Sequence, residues 1–486
     1  MADTKDIPTR TNSLSGGGGA SKDGLTFARR GEQIDESTSG DVSGFDAERM
    51  RARSLLTADE ERKLMRRVDL RIMTICSLLF LMKNIDSDNI SNARIMNKGT
   101  PRNIMTQLNM TSDEYNLLTV LYYVPYIVLE APSNLLLKRL RPSAWQSRIM
   151  ISWGIALLCH VPVTNKGGIY ATRFLLGAFE AGMFPGVILQ MTYWYRPDEM
   201  SIRLLYFCTA VYFLLPDFPP TAKWLTEKEK AFIQARLPPN APRAEEMNFN
   251  FSEIVDSLKD RRLWLFTLIW ATFTVGTSGV RFYQPTVIAN LGFTTIARAQ
   301  LLNLPISLLS IFVIGVTGFF ADKGTVPRPL YPLGVFAVVI ACYGVLVAYP
   351  SNGAVYAATL VGNAFTSAFF PLMWPWRVQT TSRATGSAFS IGFVNSYGQI
   401  GGAIGPQIFR SKYAPRYQTS FAAAMALVGC CAIVTLITWW ATRKTESDTR
   451  HLKRARVRAE RDGLAVLNDV VDQDLNKKRP DDEESA

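Results

Sequence analysis

Ten apolar runs, each long enough to cross a bilayer, constrain this chain more than any other feature. A helix spanning the hydrocarbon core needs about 20 residues with little charge. Such runs lie at 70–92, 115–137, 146–164, 169–195, 263–285, 302–321, 330–349, 353–376, 385–408 and 419–442. Backbone groups in lipid find no water, so runs of this kind fold as helices that close their own hydrogen bonds. The expected fold class is all-α and polytopic. Only 19% of the 486 residues are charged, and most of that charge falls in three polar stretches: the first 69 residues, the last 44, and 216–262.

The distribution of that charge orients the chain. Six Lys and Arg lie in the nineteen residues before the first run, four between 138 and 148, eight in 216–262, and eight in the twenty residues after the last run. Basic loops stay on the cytosolic side, which puts both termini there. The net charge of +12 is accounted for by these loops and calls for no nucleic-acid partner. The beginning, MADTKDIPTRTNSLSGGGGASKD, is polar and Gly/Ser-rich; it reads as part of a disordered cytosolic tail over 1–67, without a cleavable signal peptide. Six cysteines all fall in apolar runs and read as small hydrophobes, while His160 and His451 are the only histidines. Neither a metal site nor a catalytic constellation is indicated, so an enzyme is not expected. Asn109-Met110-Thr111 forms a possible glycosylation sequon on the non-cytosolic side, which chance alone also explains.

An eleventh candidate, LLYFCTAVYFLL at 204–215, is a stub followed at once by PDFPP. Twelve helical residues reach about 18 Å, short of a core of about 30 Å. The loops on either side of this stub are both expected in the cytosol, which requires zero or two crossings between them. The second half holds six runs in 263–442, whereas 70–215 holds four and the stub. Two matched six-helix halves need roughly forty more residues here, the length of two spans. The division expected is tail 1–67, a truncated bundle 68–215, a central loop 216–262, a six-helix bundle 263–442, and a cytosolic tail 443–486.

Of the ionisable residues inside the runs, four stand out: Asp86, Glu130, Arg173 and Glu180. A charge at the bilayer centre costs about 2.5–3.5 kcal/mol on insertion scales, so such groups face a bundle interior or a watery path. Arg173 and Glu180 are seven residues apart. Two helical turns put their Cα atoms roughly 10 Å apart on one face. They form either a structural ion pair or a fixed cation beside a titratable carboxylate.

Several motifs together carry a family resemblance over about 60–445. They are IDSDNISNARI, YYVPYIVLEAPSNLLLKRLRPSAWQSRIMISWG, RFLLGAFEAGMFPGVILQMTYWY, GFFADKGTVPR and GFVNSYGQIGGAIGPQIF. In these the chain resembles fungal major facilitator superfamily transporters of the anion:cation symporter, or allantoate permease, type. The resemblance implies two six-helix bundles related by pseudo-symmetry around a central site of alternating access, with the first bundle here incomplete. It implies a secondary active, proton-coupled carrier of a small organic anion, such as allantoate, a vitamin carboxylate or a secondary metabolite. The driving force would be the proton gradient, with no cofactor or metal, and the expected location is the plasma membrane. No oligomer is implied. The alternative is a non-transporting splice or gene-model variant lacking helix five and most of helix six.

The resemblance also assigns roles. Arg173 corresponds to the anion-binding arginine, Glu180 to the proton-coupled acid, and Asp86 to the acid of a D-R-x-N signature. Here Ser87 stands where that arginine is expected, and Asp88 follows. Lys83, one turn before Ser87, is placed to supply a positive contact for a substrate anion, to neutralise Asp86, or to snorkel. Apart from the resemblance, Arg281 reads either as a second substrate anchor facing the cavity or as an arginine snorkelling to the interface. Asn395, with Tyr397 and Gln399, offers neutral hydrogen bonds to substrate. Glu130 is expected as an inter-helix, gate-side group between Pro125 and the Pro132 turn. Asp322 and Lys323 in GFFADK correspond to a gate latch, extended by Arg328, and the glycines of span eleven to close helix packing.

Overall fold

The computed structural model describes residues 27–31, 52–97, 100–140, 142–196, 225–236, 251–290, 304–379, 384–414 and 416–466. Sixteen helices occur among them. In the first half these are α1 (Ala58–Ile95), α2 (Ile104–Gln107), α3 (Ser112–Arg139), α4 (Pro142–Leu158), α5 (Lys166–Glu180) and α6 (Met183–Thr192). Helices α7 (Glu227–Arg236) and α8 (Phe251–Lys259) follow. The second half comprises α9 (Arg261–Asn290), α10 (Leu304–Lys323), α11 (Leu330–Ala348), α12 (Asn352–Ser367), α13 (Phe369–Gln379), α14 (Ala384–Gly398), α15 (Ile400–Ile408) and α16 (Gln418–Arg461). Two short strands, β1 (Phe27–Arg29) and β2 (Leu464–Val466), pair antiparallel. The stub at 204–215 and the PDFPP turn lie outside the described residues.

All ten sequence-expected spans coincide with helix. Seven described helices are long and apolar enough to cross a membrane by length and composition alone. The other three fall short for legible reasons. The first carries Arg71, Lys83, Asp86 and Asp88 within 70–92. The third, α4, has only 17 residues. The ninth, 385–408, carries Asn395, Ser396, Gln399 and many glycines, which lower its hydropathy. Large apolar side chains such as Val128, Ile151, Phe312, Ile433 and Trp440 stand exposed, as expected where the solvent is lipid.

Local sequence sets the helix boundaries. Thr57 and Thr111 both begin helices as capping boxes, their hydroxyls accepting from the Glu60 and Glu114 amides while those carboxylates accept from the cap amides. Pro125 and Pro132 are carried inside α3. Span four, expected as one helix, is two. Gly182 adopts φ +89°, and Ser133 occupies the space a side chain there would need, so the chain turns sharply between Glu180 and Met183.

Two stretches expected as unstructured are built into the fold. Within the 1–67 tail, β1 pairs with the far end of the chain and Arg30 meets Glu61 at 2.5 Å. Within the central loop, the α7 helix is anchored when Arg53 donates to the Ala235 carbonyl at 2.7 Å and Arg67 meets Glu229 at 3.0 Å. Hydrogen-bonding segments thus find partners that composition alone does not reveal. The start of α1, α7 and the C-terminal strand therefore meet at one end of the molecule, the end carrying the basic stretches.

The two halves join along α3, which packs on both α14 and α15, and along α6, which packs on α14. Small residues make this possible. Gly402 lies directly against the Tyr123 ring, and a Cβ at Gly392 would touch Asn134 and Ala131 at 3.3 and 3.4 Å. The glycines of span eleven therefore serve close helix packing as expected. At the end away from the basic loops, the Asn116 amide donates to the Tyr283 hydroxyl at 2.9 Å and Gln407 donates to the Asn116 carbonyl at 3.0 Å.

Candidate functional site

The site assembles where α1, α3, α5 and α14 converge. Glu180 is the last residue of α5, just before the Gly182 turn, and its side chain is 2% exposed. A helix broken at membrane depth is tolerated where it is buried in protein or lines a watery path, and carriers place binding groups at such breaks. The Tyr122 hydroxyl donates to Glu180 Oε2 at 2.6 Å, and the Lys83 ammonium stands 3.8 Å from Oε1. Lys83 also donates to the Tyr126 hydroxyl at 3.5 Å and lies 5.3 and 5.6 Å from the Tyr126 and Phe184 ring centres.

This corrects the sequence expectation about the pair. Arg173 is on the same helix as Glu180, but among the described residues Lys83 is the ion-pair partner of that carboxylate. Arg173 is half-buried, and its Nε finds no hydrogen-bond partner. A seven-residue spacing fixes only the face of one helix; the rotation of α1 against α5 decides which cation reaches the acid. Among the described residues Lys83 forms its ion pair with Glu180 rather than with Asp86. Asp86 is 5% exposed and accepts from the Trp153 indole of α4 at 3.2 Å. The side chains of Ser87 and Asp88 lie outside the described residues.

Glu130 is fully buried one helical turn on from Tyr126, on the same face of α3. The Asn395 side chain of the second half donates to its Oε1, and its Oε2 has no hydrogen-bond partner. Asn395, expected to meet substrate, is thus engaged by a carboxylate across the junction. Lys83 is held between the Glu180 carboxylate and the Tyr126 hydroxyl, Tyr126 lying one helical turn before Glu130. Below them the wall is aromatic. The Phe184 ring lies 6.3 Å from that of Trp374, which lies 5.0 Å from Trp270. Both indole N–H groups lack an acceptor among the described residues.

Other expected residues stand apart from this cluster. Arg281 is exposed on α9, whereas its neighbours Phe282 and Tyr283 are buried, so it does not face the junction as expected. Tyr397 is exposed and packs on Phe393, with ring centres 4.6 Å apart. Asp322 pairs with Arg328 at 3.0 Å, and the Arg328 amide donates to Glu446 of α16 at 3.3 Å. Lys323, expected as part of the latch, instead lays its ammonium 4.4 Å from the Phe319 ring centre. Asn109 is exposed at φ +49°, while the following Thr111 caps α3. Sequence reasoning missed Tyr122, Trp153 and the Trp270–Trp374 wall; the cluster of three tyrosines in YYVPY was the available signal for the first.

The architecture defines an all-α, multi-pass membrane protein with the major facilitator fold. Residues 202–406 match the family profile described as Major Facilitator Superfamily. The MFS-type transporter cnsO of Penicillium expansum is 26% identical over 475 residues, covering 86% of this chain and 89% of that one. The MFS transporter prlL of Fungal sp. (strain NRRL 50135) is 26% identical over 412 residues, covering 74% and 83%. Among solved structures, the fucose:proton symporter FucP of E.coli aligns with a TM-score of 0.53 at 13% identity, over 76% of this chain and 99% of that one. These likenesses are to transporters of the major facilitator superfamily, whose fold this chain shares.

Proposed function

We propose that the chain is a proton-coupled secondary carrier of a small organic anion, of the allantoate permease type, with Lys83 as the central anion anchor and Glu180 as the proton carrier. The observation that supports this most directly is the half-buried Lys83 ammonium standing 3.8 Å from the buried Glu180 carboxylate at the break in span four. An incoming carboxylate that takes Lys83 leaves Glu180 without its cation, and a bare carboxylate in a water-poor interior binds a proton rather than stay charged. Anion entry and proton uptake then become one event. Arg173 supplies a second positive charge on the same helix, and Asp86 is assigned as a further acid of the proton path. Glu130 with Asn395, and Asp322 with Arg328, are assigned to gating. We place the chain in the plasma membrane with both termini cytosolic, because the segments that meet at one end are the basic ones, and leave Asn109 as a candidate glycan acceptor on the far side.

The test is uptake into proteoliposomes of a panel of labelled monocarboxylates and dicarboxylates. Glu180→Gln should abolish accumulation driven by a pH gradient while carboxylate exchange persists. Gradient-driven accumulation that survives in Glu180→Gln would sink the proposal.

A second reading is supported by a specific observation. The alignment with the Penicillium expansum relative runs to 475 positions yet takes in 86% of this 486-residue chain, so several dozen of its positions face a gap here. This agrees with the span count, in which material for two crossings is missing between Arg203 and Pro216, and with a variant lacking helix five and most of helix six. Translating the genomic interval around codons 203–209 tests it: an in-frame segment encoding two apolar spans supports the variant, and its absence removes that explanation.

A further inference from the structure

Arg94 sits near the C-terminal end of α1, at the junction of the halves away from the basic loops. It is only 6% exposed. Its Nη1 donates to Asn116 Oδ1 at 3.1 Å, its Nη2 donates to the Ser112 hydroxyl, and its guanidinium lies 4.4 Å from the Tyr283 ring centre. Every one of these partners is neutral. Among the described residues no carboxylate stands within ion-pair distance of it. A buried guanidinium normally has an acid beside it, because a charge out of water with no counter-charge is costly.

The groups that hold it are also those that join the two halves. Asn116 Oδ1 accepts from both Arg94 and, at 3.2 Å, the Tyr283 hydroxyl of α9. Parting the halves at this end frees the Asn116 amide, the Tyr283 hydroxyl and the outer face of the guanidinium together. Those groups are a planar fork of N–H donors flanked by an amide and a phenol, which is the chemistry that recognises a carboxylate in two-point fashion.

We propose that Arg94, with Asn116 and Tyr283, forms a second anion site at the outer junction, taking a carboxylate when the halves part and held by neutral partners when they meet. It is the first station on the path to Lys83. The proposal rests on the anion-carrier reading, and it assigns a role to a residue that takes no part in proton coupling.

The experiment uses the full chain in proteoliposomes with Ser112→Cys introduced, and reads alkylation of that cysteine by a membrane-impermeant maleimide, peptide by peptide, by mass spectrometry. Sodium succinate and sodium benzoate are the probes, with sodium chloride at matched ionic strength as control. The carboxylates should slow alkylation with Arg94 present. Arg94→Gln should weaken that protection by about tenfold or more in carboxylate concentration, the cost of losing a charge-assisted contact. Arg94→Lys, which keeps the charge, should retain part of it, and this guards against mere misfolding. Protection that persists in Arg94→Gln but vanishes in Lys83→Gln overturns the outer site and leaves the central reading standing. Protection lost in Arg94→Gln but kept in Lys83→Gln supports an independent outer site. No carboxylate protection in any variant overturns the proposal, while the Glu180→Gln uptake experiment judges the central site on its own.

Discussion

Lys83 carries the residue-scale argument, because removing it leaves the buried Glu180 carboxylate without its cation. Lys83→Gln should therefore destabilise the protein, and a double-mutant cycle with Glu180→Gln should recover a coupling of about 1–3 kcal/mol, the range for contacting polar groups. Thermal unfolding in detergent checks this, and additive losses would separate the pair. Glu130 and Asn395 make a sharper case. Glu130→Gln keeps an acceptor for Asn395 and should leave carboxylate exchange within about threefold of the parent, as when a hydrogen bond is preserved. Asn395→Leu strands a buried carboxylate and should slow exchange by about tenfold or more, since an unmet charged acceptor costs at least 1–3 kcal/mol. Equal effects from both variants would argue against the bond across the junction. The residues themselves were legible, since ionisable groups in apolar runs announce themselves. Their partners were not: that Lys83 reaches Glu180 rather than Asp86, and that Trp153 takes Asp86 instead, depends on how separate helices are rotated against one another.

At the scale of elements, close packing and caps decide the outcome. Gly402 lies on the Tyr123 ring, so Gly402→Val should drive α15 away from α3. Overpacking of this sort costs about 1–3 kcal/mol, visible as a lower unfolding temperature and slower exchange. A cap offers a different handle. The Thr57 amide and hydroxyl hold the Glu60 carboxyl below its usual range, so the deprotonated form is the one the helix start favours. A group depressed in this way contributes stability at neutral pH that is lost as pH falls through its folded pKa. Hydrogen exchange at 58–61 should thus quicken below the ordinary carboxylate range, and in Glu60→Gln that acid-induced change should disappear. The six helical spans of the second half were readable because each is one apolar run with breakers beside it. The break in span four was harder. Gly182 and Pro185 stood in the sequence, but a glycine inside a span packs or bends equally well, and only the position of Ser133 against Gly182 decides it.

For the whole molecule, the pairing of β1 with β2 has a consequence in time rather than in space. One of its contacts, from Arg30 to the Leu464 carbonyl at 3.2 Å, joins residues 434 positions apart. A ribosome must deliver residues 464–466 before that partner exists, and by then the helices between have already entered the bilayer. Until then the first strand waits with unpaired amides, a state that chaperones and proteases recognise. Closing the clasp marks the moment at which the last span has been delivered. A chain released before that point would keep this strand unpaired.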